Sequence, residues 1–207
     1  MTLPATPFPP RNFFAAFTDA HAHLPASAAD DAAVRLPAGA RVLLNATRPG
    51  DFPRVAALAE KFPDAVVPAF GVHPWFADEW NAEAEKILRH RLSDAPGVAA
   101  VGEIGLDRCR GNAPAQEKAF REQLEIAAEF RAPVSIHCVR AFGRTEETLR
   151  AFAEAGTLPP FLLHAYGGSP EQAKVFARLG GAFSAPRKPL PPECLVVPES
   201  DAPLSAR

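Results

Sequence analysis

Five of the six histidines in this 207-residue chain stand where a short apolar run ends. They are His21 and His23 in DAHAHL, His73 in FGVHP, His137 in SIHC and His164 in LLHAY, and Glu103 in VGEIGLD and Asp201 in ESDAP occupy comparable places. Imidazole nitrogens mixed with carboxylate oxygens suit Zn, Mn, Ni and similar divalent ions, whereas an oxygen-only set suits Mg or Ca better. A carboxylate can bridge two ions. Without a cation, a buried Glu and Asp among imidazoles would each face a desolvation penalty of several kcal/mol. His21 and His23 sit at i and i+2, which on an extended strand turns both side chains to one side.

Other residues have plainer readings beside the chemical one. His90, in ILRHRL on a helix, reads as a solvated surface group. Glu103 could instead form an ion pair with Arg108, and Asp107 is open between a turn cap and a site group. Asp19 is expected to orient a ligand imidazole rather than hold an ion. Cys138 follows His137 directly, but adjacent strand residues point to opposite faces, so a Cys/His nucleophile is not expected. Arg140 and Lys188 are the basic residues placed to meet an anionic substrate. Trp75 and Phe76 offer either a stacking surface for a base or an apolar cap.

Bringing such distant groups together requires a particular scaffold. Short apolar runs alternate with segments of helical period, the pattern of βα units around a parallel sheet. Strands are expected at Phe17 to Ala20, Arg41 to Ala46, Val66 to Gly71, Val98 to Glu103, Pro133 to Ile136, Pro160 to Leu163, Gly181 to Ser184 and Leu195 to Pro198. Helices are expected at Pro53 to Phe62, Asp78 to Leu92, Gln116 to Phe130, Thr145 to Ala155 and Ser169 to Leu179, with a short sixth at Asp30 to Leu36. Eight strands predict a (β/α)8 TIM-type barrel, in which all C-terminal strand ends share one face. The stretch after Ser184 is Pro-rich and the chain after Asp201 is short, so the barrel is expected to be trimmed at its C-terminal end, lacking helices after strands 7 and 8. Residues 1–16 read as an irregular Pro-rich lead-in and 17–207 as one barrel domain.

Composition narrows the function. Hydrophobic residues make up 47% and the formal charge is −2, which excludes a disordered tail and a globally basic nucleic-acid binder. Cys109, Cys138 and Cys194 form neither a disulfide framework nor a metal knuckle, which suits a reducing compartment. No basic leader or long apolar span is seen, so a cytoplasmic protein without membrane contact is expected.

DAHAHL, GVHPW, VGEIGLD, PVSIHC, LLHAYGGSPEQA and ESDAP stand in the order and at roughly the spacing of the TatD-type metal-dependent hydrolases, a branch of the amidohydrolase-like barrels. The chain resembles that family over about residues 17 to 204. The resemblance implies a two-metal barrel hydrolase, often a deoxyribonuclease, with His21, His23 and Asp201 on the first metal, His137 and His164 on the second, and Glu103 bridging. His73 would line the substrate pocket. Here the Arg that commonly stands two residues after the fifth-strand histidine is replaced by Val139, with Arg140 one place later, and Arg108 replaces an aromatic after GLD.

The expected activity is cleavage of DNA phosphodiesters by a water that two divalent ions, Zn, Mn, Mg or Ni, activate. Asp201 is the expected general base, Glu103 its catalytic companion, and His73 and Arg140 the substrate-binding groups. Two alternatives stand beside it: hydrolysis of a small ester or amide, and a binding subunit that oligomerises through the uncovered barrel side.

Overall fold

Runs rich in Val, Leu, Ile and Phe become strands that are buried on both faces, because a parallel sheet wrapped by helices exposes neither face to water. The computed structural model describes residues 8–204. Its strands are β1 (Asp19–His23), β2 (Val42–Asn45), β3 (Val66–Phe70), β4 (Ala100–Asp107), β5 (Val134–Val139), β6 (Phe161–Leu163), β7 (Gly181–Ser184) and β8 (Leu195–Val197). They form one eight-stranded sheet in chain order, and each successive pair is parallel. Helices α1 (Phe52–Lys61), α2 (Ala82–Asp94), α3 (Ala113–Phe130), α4 (Phe142–Glu154) and α5 (Pro170–Arg178) follow β2 to β6 in turn. This is the expected (β/α)8 barrel. As expected, no helix stands between β7 and β8; among the described residues none follows β8, and Val196 on β8 is 48% exposed. Among the described residues no helix is long and apolar enough to cross a membrane.

Small inward residues set the inner packing. Ala20, Ala69, Ala100 and Ala182 face Leu43, Leu162 and Val197, and the space they leave at the base is filled by Phe13, Phe14 and Phe17. Two of these rings belong to a 3-10 turn, Phe13–Ala16, inside the segment expected to be an irregular lead-in. The lead-in is thus partly core, because only bulky rings can plug a barrel lined by alanines. Pro4 and Pro7 of that lead-in lie outside the described residues, as do positions 205–207.

Register decides what points inward. The β4–β5 pairing shifts between Val101 and Ile104, so Ala100 and Glu103 both face the interior while Val101 and Ile104 pack outside. The strand expected to stop at Glu103 continues to Asp107. Gly105 permits this close pairing, since at φ +142 a Cβ there would land on the His137 carbonyl.

The last strand reaches the first through single backbone bonds. Ala20 N–H donates to Pro198 O at 2.8 Å, Asp201 N–H to His21 O at 3.0 Å and His23 N–H to Ala202 O at 3.0 Å. Other boundaries move modestly. The segment from Asp78 splits into a 3-10 turn, Pro74–Glu79, and α2, which starts at Asn81 because its side chain accepts the N–H groups of Glu83 and Ala84. The short sixth helix is a 3-10 turn, Ala28–Ala33. The cap of α5 is as expected: Ser169 accepts from Gln172 N–H, and Gly180 closes the end at φ +95.

Candidate metal centre

Glu103 projects from mid-β4 into the upper barrel, only 2% exposed. Its two oxygens face different partners. Oε2 lies 3.3 Å from His21 Nε2 and 3.6 Å from His23 Nε2, both on β1. Oε1 lies 2.8 Å from His137 Nδ1 at the end of β5, 2.9 Å from His164 Nε2 just past β6, and 3.1 Å from His73 Nε2 just past β3. Asp201 completes the β1 side, its Oδ1 3.2 Å from His23 Nε2 and 3.9 Å from His21 Nε2. The six residues expected to ligate metal therefore converge, with His73 beside them.

Three of the imidazoles are backed by a group on the side away from Glu103. Ser135 Oγ on β5 meets His21 Nδ1 at 2.8 Å. Asp107 Oδ2 lies 3.3 Å from His137 Nε2 and accepts the Trp75 indole N–H at 2.7 Å. Glu199 Oε2 stands 3.9 Å from His164 Nδ1, while its carboxylate accepts from the Ser184 hydroxyl and the Ala165 N–H. His73 differs. Its Nδ1 accepts the Trp75 backbone N–H at 3.1 Å, so in the neutral ring the proton sits on Nε2 and points at Glu103. His73 is a donor toward the cluster rather than a ligand.

The electrostatics follow from crowding. Burial, together with the charge of His164, drops the His21 pKa to about 3, and the two rings stack at 3.9 Å. Burial also opposes charge on His164, but Glu103, Glu199 and Asp201 outweigh it and raise its pKa to about 9. Burial works against ionised Glu103 as well, yet His164, His21 and the hydrogen bonds from His137 and His164 hold its carboxyl well below the usual range. The hydrogen bond to His23 holds Asp201 low, whereas burial pushes Glu199 up.

Among the described residues, three sets of donor atoms could each hold an ion, every atom within 4.8 Å of the others in its set: His21, His164 and Asp201; His21, His23 and Glu103; His73, Glu103 and His137. Because the His73 proton faces Glu103, the third set is the least suited. The buried Nδ1 of His164 has no hydrogen-bond partner among the described residues. Ring nitrogens face one another at 3.3 Å (His21 and His23) and 3.2 Å (His137 and His164), a spacing of donor pairs that fits cations on both sides of Glu103. Above them opens a cavity of about 520 Å³ lined also by Asn45, Arg54, Trp75 and Phe76.

Other candidates fall elsewhere. Arg140 does not line the cavity: its φ of 51 turns the chain out of β5 toward α4, and its side chain stays in solvent. Lys188 is also exposed and absent from the cavity wall. Cys138 is buried against Thr145, and burial pushes its thiol up to about 11, so it is no nucleophile. Asp19 orients no imidazole; it accepts from Ser200 and steadies the segment before Asp201. His90 is an exposed partner of Asp94. Asp107 both caps the turn at Cys109 and braces His137. Ser135 and Glu199 were not anticipated. Position gives a signal for each: Ser135 precedes His137 by two on the same strand face, and Glu199 precedes Asp201 by two.

Comparison with known proteins places these features in context. The family model described as TatD related DNase matches residues 18–204. A protein of Rahnella sp. named 3'-5' ssDNA/RNA exonuclease TatD is 34% identical over 141 residues, covering 67% of this chain and 52% of that protein. The protein of the same name from Edwardsiella piscicida is 39% identical over 129 residues, covering 59% and 47%. The chain thus spans about half the length of these curated relatives. The crystal structure of YJJV, a TatD homologue from Escherichia coli K12, matches with a TM-score of 0.71 at 30% identity, covering 81% of this chain and 67% of that one. A TatD family hydrolase from Entamoeba histolytica, at 19% identity and a TM-score of 0.60, shares the fold over 70% and 50%.

Proposed function

This chain belongs to the TatD-related DNase family, and we propose that it is a hydrolase that uses two divalent metal ions to cut phosphodiester bonds of single-stranded nucleic acid. The observation that carries this reading is Glu103, one buried carboxylate whose oxygens face two separate sets of imidazoles. His21, His23 and Asp201 would hold one ion, His137 and His164 the other, and Glu103 both. The nitrogen-rich set favours Zn, Mn or Ni over Mg. Such ions, when bound, supply an activated water and stabilise the charge that develops on the phosphodiester.

The chain's own groups do the rest. Asp201 is ionised at neutral pH and 44% exposed at the mouth, so it can take the proton of the attacking water. His73 lines the cavity, and its Nε2–H holds the Glu103 carboxylate in place beneath the substrate. Burial lowers its pKa, which keeps the ring a neutral donor. The cavity is of a size that accepts a nucleotide. Names of the relatives reported above support a nucleic-acid substrate and give none to a small ester or amide. Three free cysteines fit work in the reducing cytoplasm.

Elemental analysis of protein purified without chelator, paired with assays on end-labelled single-stranded DNA, tests the proposal. About two divalent ions per chain and metal-dependent cleavage are expected. Protein that takes up no divalent ion, or that cuts nothing with Zn, Mn, Mg or Ni supplied, removes it.

A further inference from the structure

At the rim of the cavity the Trp75 side chain is 46% exposed, although it is one of only two tryptophans in the chain. Its ring cannot swing freely, because Nε1–H is tied to Asp107 Oδ2 at 2.7 Å. The Arg110 guanidinium lies over it, 4.1 Å from the ring centroid. Arg110 stands on a braced turn. Buried Gln116 accepts the Asp107 N–H at 2.8 Å and donates to the Arg110 carbonyl at 2.5 Å. Gly111 at φ +82 leaves room for that amide, where a Cβ would come within 2.7 Å of Gln116 Nε2. Arg48 stacks on Phe76 in a similar way but is paired with Glu79; Arg110 has no such carboxylate among the described residues.

A fixed, exposed aromatic ring with an unneutralised cation over one of its faces, next to Asp107 and through it His137, is the chemistry that receives a base on the other face and its phosphate at the cation. We propose that Trp75 and Arg110 form the subsite for the nucleotide adjoining the bond to be cut, with the base stacked on the indole and the guanidinium on that nucleotide's phosphate. This deepens the nuclease reading above and rests on it. Stacking uses the π-face that every base has, so the subsite accepts all four bases. It selects unpaired strands, because a base inside a duplex is already stacked on its neighbours.

Affinity for a fluorescein-labelled phosphorothioate oligonucleotide, which resists cleavage, is measured by anisotropy for the metal-loaded wild type and for W75A, W75F and R110A. W75A is expected to weaken binding by about 10-fold or more. W75F keeps a flat ring but loses the N–H to Asp107, and should stay within about 3-fold of wild type. R110A should weaken binding and lower the salt dependence by about one ion. Unchanged affinity in W75A, or W75F as weak as W75A, overturns the subsite. Arg110 is exposed, so R110A decides alone if W75A does not fold: unchanged affinity and salt slope overturn the proposal. A wild type that binds the oligonucleotide but never cuts the phosphodiester version sinks the nuclease reading and leaves the subsite standing. Cleavage with no loss of affinity in any variant does the reverse.

Discussion

The backbone N–H of Asp201 donates to the carbonyl of His21 at 3.0 Å. Asp201 also adopts φ 48, in the left-handed region that few non-glycine residues enter, and its carboxylate turns back onto His23. The acid that completes the site is therefore hung from the strand that carries the first two imidazoles. The same backbone contact that joins the end of the chain to β1 also brings Asp201 to the site.

Glu103→Gln should cut turnover on single-stranded DNA by about 10³-fold or more, since it weakens both proposed ion sites at once. Asp201→Asn should cost about 10²-fold or more by removing the proton acceptor. Steady-state kcat with elemental analysis of the same samples checks both. Wild-type turnover in either variant rejects the mechanism.

Glu199→Gln should weaken metal binding by about 10-fold to 100-fold, because Glu199 backs His164 and raises its basicity. Competition against a chromogenic chelator measures it. An affinity within twofold of wild type would show that Glu199 only ties the β7 and β8 ends together.

Metal-stripped protein should be most stable near pH 6.5. The raised pKa of His164 contributes stability that is fully present below its unfolded value of 6.5 and lost as pH rises through about 9. The lowered pKa of His21 contributes stability present above 6.5 and lost as pH falls toward about 3, and lowered Glu103 adds to that loss below 4.5. Urea midpoints in chelator from about pH 5 to about pH 9 should trace a maximum. A midpoint that climbs steadily through the alkaline side contradicts the charge arrangement described.

Phe14→Ala should destabilise the protein by about 3–5 kcal/mol, the usual cost of emptying a fully buried aromatic site. Denaturant titration reads it directly. A loss under about 1 kcal/mol would mean that the residues before β1 do not plug the barrel.

Much of this was legible beforehand, and the gaps have identifiable causes. The eight strands and five helices could be placed because apolar periodicity is local and survives in any one segment. His137 and His164 follow strand interiors in simple alternation, so position alone marked them as facing the mouth. Glu103 was found as a strand-end residue for a reason that does not hold, since it lies mid-strand and faces inward through a shift in register. Arg140 failed because backbone direction after β5, not distance along the chain, decides whether a side chain reaches the cavity. Lead-in phenylalanines were missed because a 3-10 turn offers no periodic signal.

By itself the order of residues determined an eight-stranded parallel barrel and a stock of imidazoles and carboxylates on its strands, because strand burial and side-chain chemistry are properties of short segments. Only the tertiary structure decided that Glu103 would face both halves of that stock, that Ser135, Asp107 and Glu199 would brace three of the rings, and that Asp201 would reach the first strand. Those outcomes depend on register and on backbone bonds between segments far apart in the chain, and no local pattern encodes where two such segments meet.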